Sequence, residues 1–436
     1  MRGCLLSVLL AAIPALGQFL ETTIQLPDSA WPHTVLYNPS NDRVYCSAGN
    51  RDTVYVVDGA TNELVGRIGV GDYPTAMVCD PGRNKIYCTN WNQGSVSVID
   101  CSSDSVVATV PVWDRPNSLC FSAAAGRVFC ANFGSDNVTV IDVMADTIIA
   151  TMLTGTSPTD VACNPAGDLV FCANSRSNDV TVIDAHGDSL ITTLAVGSFP
   201  FVTDCNAPHG RAYVACQWGD TLAVLSSSGD SVLARLPTAG WPRALCYNAT
   251  GNKLYVACAS GDSITVLDAG ADTVLYSRYA GDWPIALLHD RAHNKVYCAD
   301  FEGDSVVVFD GRADTIIYHR FVGDGPRDFA LNPVNQRVYC ALYYESAVAV
   351  FRDTSPAAIE LEQAEPIGER LNPIFGHGTL VLHGEADALL LDVTGRRVAE
   401  LTPGRNDIRH VVPGIYFLRS ASGCENAAVS KLVVQR

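Results

Sequence analysis

Sixteen cysteines and nine histidines share a chain of 436 residues with forty-six acidic side chains, which is raw material for metal, thiol or acid–base chemistry. Spacing decides what they are for. Cys46, Cys88, Cys130, Cys172, Cys298 and Cys340 occupy one position of a 42-residue period, each directly after an aromatic residue. Val214 and Val256 fill that position in two further copies, with Cys216 and Cys258 two residues later, on the same side of a strand. A metal ligand or redox thiol does not tolerate valine, whereas a small apolar filler does. Equivalent positions on sheets stacked about 10 Å apart also lie beyond the roughly 7 Å that a disulfide spans between Cα atoms. With no C-x-x-C and scattered histidines, neither zinc nor a disulfide scaffold is expected. The cysteines read as packing.

The acidic residues repeat as well. Asp58, Asp100, Asp142, Asp184, Asp268 and Asp310 each end a β-like run, where the carboxylate caps the following turn. Asp104, Asp146, Asp188, Asp230, Asp272 and Asp314 follow four residues on. Such pairs can hold calcium, but turn chemistry accounts for them, and Ser226 and Arg352 replace the first member elsewhere. The chain has no G-x-S-x-G elbow, HExxH pair or phosphate-cradling glycine loop. An enzyme built on it would draw on isolated residues such as His33, Asp160 and Asp328. No cofactor is expected.

The elements that position these residues follow from the prolines. Starting at Pro32, one recurs at 74, 116, 158, 200, 242, 284 and 326, always 42 residues on. Behind each come β-branched runs separated by Gly/Asn/Asp/Pro turns, the pattern of four antiparallel strands. A roughly 40-residue unit of four strands is a propeller blade. The last copy runs out after "AVAVFR", while "ETTIQLP" at 21–27 stands unassigned before Pro32. Residues 21–27 therefore complete the last blade, and every strand type occurs eight times. The fold class is all-β: a closed eight-bladed β-propeller over residues 18–355, followed by a small Ig-like β-sandwich. The phrases "IYCTNWNQGSVSVID" and "VFCANSRSNDVTVID" resemble the YVTN family of propeller repeats. That resemblance implies the fold. Activity stays open, because such propellers host surface-layer, binding and enzymatic roles alike.

Blade-to-blade loops and the loops between second and third strands share one face, and all six tryptophans map to it. Trp31, Tyr73, Phe199, Trp241 and Trp283 directly precede a blade-starting proline, a repeated slot expected to wedge adjacent blades. Trp91, Phe133, Phe301 and Tyr343 share a slot that is elsewhere Gly49, Ser175, Gln217 or Ala259, with Trp218 one residue further on. Variable positions on a rigid scaffold are the better candidates for contact. Arg115, Arg243 and Arg327 flank the same channel mouth. The expected function is a non-enzymatic binding module for a polysaccharide, peptide or envelope component. The alternative is a propeller enzyme of lactonase or quinone-dependent dehydrogenase type.

The ends concern delivery. Residues 1–17, with Arg2, an apolar stretch and small residues at Ala15 and Gly17, read as a secretory signal peptide. No run is long enough for a transmembrane segment, and a net charge of −17 argues against nucleic acid as a partner. Residues 356–370 read as a linker. Residues 371–436 resemble the C-terminal sorting domain of type IX secretion cargo. The matching features are Asn372 and Pro373, the hairpin "LLDVTGRRVAEL" with Asp392, Gly395 and Arg396, the run "PGIYFLR" with Gly414 and Tyr416, and the final "KLVVQR" from Lys431. The resemblance implies a type IX translocon as partner and a secreted or cell-surface protein exported through the periplasm.

Overall fold

The computed structural model describes residues 19–27, 29–207, 210–352, 372–376, 379–383, 388–392, 397–402, 404–407, 414–420 and 429–434. The first compact unit ends at Pro356. It holds eight four-stranded antiparallel sheets, each beginning at one of the periodic prolines. Blade 1 consists of Pro32–Asn38, Arg43–Ala48, Thr53–Asp58 and Leu64–Gly69. Blade 8 takes Pro326–Asn332, Arg337–Leu342 and Ala347–Arg352 from one end of the unit and its outer strand, Phe19–Gln25, from the other. Thr23 sits opposite Ala349 in that pairing, so the ring closes as the repeat count requires. The turns bend where Asn and Asp adopt left-handed backbone, as at Asp42, Asp52 and Asp104, a conformation these two residues accept more readily than most.

The core lies between blades. In each second strand the aromatic residue faces the following blade and the cysteine faces the preceding one. Cys88 thus packs on Tyr45, Cys130 on Tyr87, Cys172 on Phe129, Cys298 on Tyr255, Cys340 on Tyr297 and Cys46 on Tyr339. All six of these cysteines, and Val214 and Val256, are completely buried. Burial pushes thiols such as Cys88 and Cys130 upward in pKa, away from thiolate chemistry. All fourteen described cysteines are free thiols. One contact escapes the equivalent-position argument: Cys163 and Cys120, on the inner strands of blades 4 and 3, bring their Sγ atoms to 2.9 Å.

The paired aspartates divide their work. Asp58 Oδ1 accepts the backbone N–H groups of Ala60 and Thr61 at 3.0 and 2.8 Å, which is the expected turn cap. Five of the second set reach the preceding blade instead, while Asp230 accepts the Ser231 hydroxyl within its own turn. Asp104 pairs with Arg43 and accepts the Tyr45 hydroxyl at 2.9 Å; Asp146 does the same with Lys85 at 2.5 Å and Tyr87 at 2.9 Å. Arg127 with Asp188, Arg211 with Asp272 and Lys253 with Asp314 repeat the ion pair. These carboxylates latch neighbouring blades, which turn chemistry alone does not describe. At the seam, Arg337 grips Glu21 through two bonds of 2.8 and 2.7 Å.

The second unit, from Ala357 on, contains two antiparallel sheets. One joins Asn372–Gly376, Thr379–His383 and Gly404–Asp407; the other orders Arg397–Leu401, Ala388–Asp392, Gly414–Ser420 and Val429–Val434 side by side. Asn372, Pro373, Asp392, Gly414, Tyr416 and Lys431 therefore lie in strands. Gly395, Arg396, the segment 1–17 and the linker 356–370 lie outside the described residues. Among the described residues no helix is long and apolar enough to cross a membrane.

Candidate functional site

Two sets of loops meet on one face because the backbone ties them together. The Tyr73 carbonyl accepts the Trp91 N–H at 3.0 Å, Arg115 that of Phe133 at 2.9 Å, Trp283 that of Phe301 at 3.2 Å, and Gly325 that of Tyr343 at 2.8 Å. The slot before each proline is held in left-handed backbone. Trp31, Tyr73, Phe199, Trp241 and Trp283 have φ between 46° and 62°. Bulky aromatics rarely adopt that region, and a residue kept there is overdetermined by its surroundings. The clamp is an Asp or Asn 21 residues earlier, which accepts the slot's N–H: Asp52 for Tyr73 at 3.0 Å, Asn178 for Phe199 at 2.9 Å and Asp220 for Trp241 at 2.8 Å. At Trp31 and Trp241 this corrects the expected wedge, since each keeps 38 % exposure and belongs to the rim, while Tyr73, Phe199 and Trp283 are partly buried.

The variable-slot residues complete that rim. Trp91 stands 5.7 Å from Phe133, and Phe301 6.4 Å from Tyr343, which in turn lies 5.7 Å from Trp31. Trp218, 62 % exposed in the short turn Gln217–Gly219, stacks on Phe199 at 4.2 Å and 17°. Trp241 and Trp283 meet edge to face at 5.6 Å. Around the mouth the aromatic series is interrupted at blade 4, where Ser157 and Ser175 take the two slots. The ring contacts fall into four groups on one face, and aromatics clustered at a surface mark a place of contact.

Below the rim lies a cavity of about 460 Å³ lined by the first strands, including His33, Ser118, Phe201, Arg243, Ile285, Arg327 and Asp328. A second hollow of about 340 Å³ shares His33 and Arg327 with it and reaches Tyr73 and Trp91 on the rim. Arg243 lies over the Phe201 ring at 4.9 Å and Arg327 over Tyr343 at 5.0 Å, distances that fit cation–π stacking. Burial, then the nearby Arg327 charge, shifts Arg243 below its ordinary value. The third arginine parts from them: Arg115 is exposed beside Asp114 at 3.9 Å and lines neither hollow. Phe201, whose ring carries Arg243, is a site residue that no spacing rule singled out.

The acid–base set has other duties. Asp160 accepts the Ser118 hydroxyl at 2.6 Å and both the N–H and hydroxyl of Thr203, at 2.8 and 3.0 Å, so it straps blades 3, 4 and 5. Asp328 accepts the Val35 N–H at 3.0 Å across the seam between blades 8 and 1. Burial raises both carboxyls, Asp328 to about 6. His33 lies between Tyr73 and Tyr343 at 5.1 and 5.2 Å, and burial holds it down to about 3, hence neutral. Among the described residues no group of three or more His, Cys, Asp or Glu is arranged to hold a metal ion.

No protein-family model and no curated protein matches the chain. Solved structures do. Hydrazine synthase of Kuenenia stuttgartiensis aligns with a TM-score of 0.54 and 19 % identity over 78 % of this chain and 100 % of that one. Sqt1 of Saccharomyces cerevisiae aligns at 0.66 and 12 % identity over 76 % and 98 %. The likeness is one of fold: this chain carries a β-propeller of eight four-stranded blades.

Proposed function

We propose that the protein is an exported β-propeller that binds an extended polymer on its aromatic face without catalysing its turnover. The observation that carries the reading is the clustering of aromatics on one face: exposed Trp218 and half-buried Trp91, Phe133, Phe301 and Tyr343 lie in its loops, and Trp91 reaches the smaller hollow. The neighbouring rings of Trp31, Tyr73, Phe199, Trp241 and Trp283 sit on left-handed backbone, and such fixed rings are preorganised, which lowers the entropy lost on binding. Asp160 and Asp328, the acids an enzymatic reading would enlist, already serve as acceptors between blades. The resemblance of residues 20–355 to YVTN repeats supports a cell-envelope setting, and the motifs within 371–436 support delivery by a type IX translocon.

Two experiments test the two halves. The chain probed against glycan, peptide and envelope arrays should retain a polymer, and retention of none would reject the binding role. In the native host, deletion of residues 371–436 should leave the propeller in the periplasm. Equal amounts outside the cell with and without the segment would reject the sorting role.

A further inference from the structure

Arg243 and Arg327 hold the same place in their blades, the residue after the starting proline, and both line the larger cavity. Guanidinium groups withdrawn from water are ordinarily paired with acids. Among the described residues neither makes an ion pair with a carboxylate, although the Arg327 charge is felt by Asp328 nearby. Their flat faces are covered by Phe201 and Tyr343, which leaves the N–H edges for a partner in the plane. That edge matches a carboxylate, which accepts two parallel bonds from it. Asp328 lines the same cavity but is turned to the Val35 N–H.

A third group is also without a partner. His33 keeps only 9 % exposure, lines both hollows, and its Nε2 has no hydrogen-bond partner. Gly49 makes the room: a Cβ there would stand 2.9 Å from the imidazole ring. That nitrogen faces Gly49 and is closed to solvent, so the ring meets the hollow as a neutral flank and not through Nε2. Apolar walls at Met77, Leu119, Leu245 and Leu287 complete a hollow suited to a ring bearing one charged substituent.

We propose that this cavity takes the carboxylate of an acidic sugar unit, gripped by Arg243 and Arg327 with His33 beside them. The inference rests on the polymer-binding reading above and adds its chemistry. The polymer's uncharged units lie along the aromatic rim, and a uronic acid unit enters the channel. With a net charge of −17 the protein disfavours densely charged polyanions, so the acid groups are sparse along the bound chain.

Calorimetry on the full chain with D-glucuronate and D-glucose tests this, because the two share a ring and differ in the carboxylate. Glucuronate should bind at least about tenfold more tightly, the scale of one charge-assisted hydrogen-bonded pair. Arg243→Gln and Arg327→Gln should each remove that preference; both variants lose a ring contact, so melting checks that they fold, and their affinity for glucose should match the wild type. Equal affinity for the two sugars, or an undiminished preference in the double variant, would overturn the acid site. N-acetylglutamate or glucose 6-phosphate binding more tightly than glucuronate would overturn it too. Each of those results leaves the rim reading intact if Trp91→Ala and Trp218→Ala still abolish polymer retention. Should the tryptophan variants retain polymer fully, the underlying binding reading fails instead.

Discussion

At the scale of single residues, side chains that look chemical prove to be mortar, and the mortar has testable strength. Asp160 satisfies three donors from two neighbouring blades. Asp160→Ala leaves a buried backbone N–H and two hydroxyls unpaired, so denaturant unfolding should show a loss of about 1–3 kcal/mol. A change below about 0.5 kcal/mol, ordinary for a surface position, would mean the strap carries nothing. The Cys120–Cys163 contact is a second case, since the Sγ atoms stand 2.9 Å apart, against about 2.05 Å in a disulfide. Oxidised glutathione should join them: the two thiols give up two protons and two electrons, and the glutathione disulfide leaves as two thiols. Peptide mapping without reductant should recover the cross-linked fragment from the wild type and not from Cys163→Ser. Its absence after prolonged native-state oxidation would contradict the geometry. That pair was hidden in the sequence because Cys120 and Cys163 fall at different positions of their repeats.

At the scale of the strand and the blade, the period in the sequence determines most of what the fold shows. Strand order, blade number and the crossing of Phe19–Gln25 to blade 8 all follow from counting prolines and finding one strand type displaced. Alternation within a strand likewise explains why cysteine follows tyrosine, since adjacent side chains face opposite blades. The bonds between blades were less legible. Arg43 and Asp104 are 61 residues apart, one period plus part of a blade, and no local motif announces such a pair. The left-handed slots were illegible for a different reason: tryptophan and phenylalanine there give no hint of a conformation that favours glycine or asparagine. The N-terminal strand offers the test at this scale. Deleting residues 18–28 removes Glu21 from Arg337 and bares the edge of Ala347–Arg352. The truncated protein should aggregate and melt earlier, and unchanged solubility and melting temperature would contradict the closure.

At the scale of the whole propeller, the ring converts a monotonous repeat into one singular place. At the central mouth all eight first strands converge, and there the repeat varies: His33, Thr75, Asn117, Thr159, Phe201, Arg243, Ile285 and Arg327 succeed one another at a single position. The rigid, repetitive outer strands let that inner position differ without cost to the fold, which is how a propeller hosts a site. The sequence alone indicated the face but not the cavity, because two arginines 84 residues apart share a hollow only once the ring has closed. The central claim is that the rim is a contact surface and not core. Melting and polymer retention measured together on Trp91→Ala and Trp218→Ala test it directly. The expected stability loss is within about 0.5 kcal/mol at exposed Trp218 and larger, but short of that for a buried aromatic, at half-buried Trp91, together with weakening of retention by up to a few kcal/mol at both. A loss of about 3–5 kcal/mol in stability, the mark of a buried aromatic, with retention unaffected in the folded fraction, would contradict it.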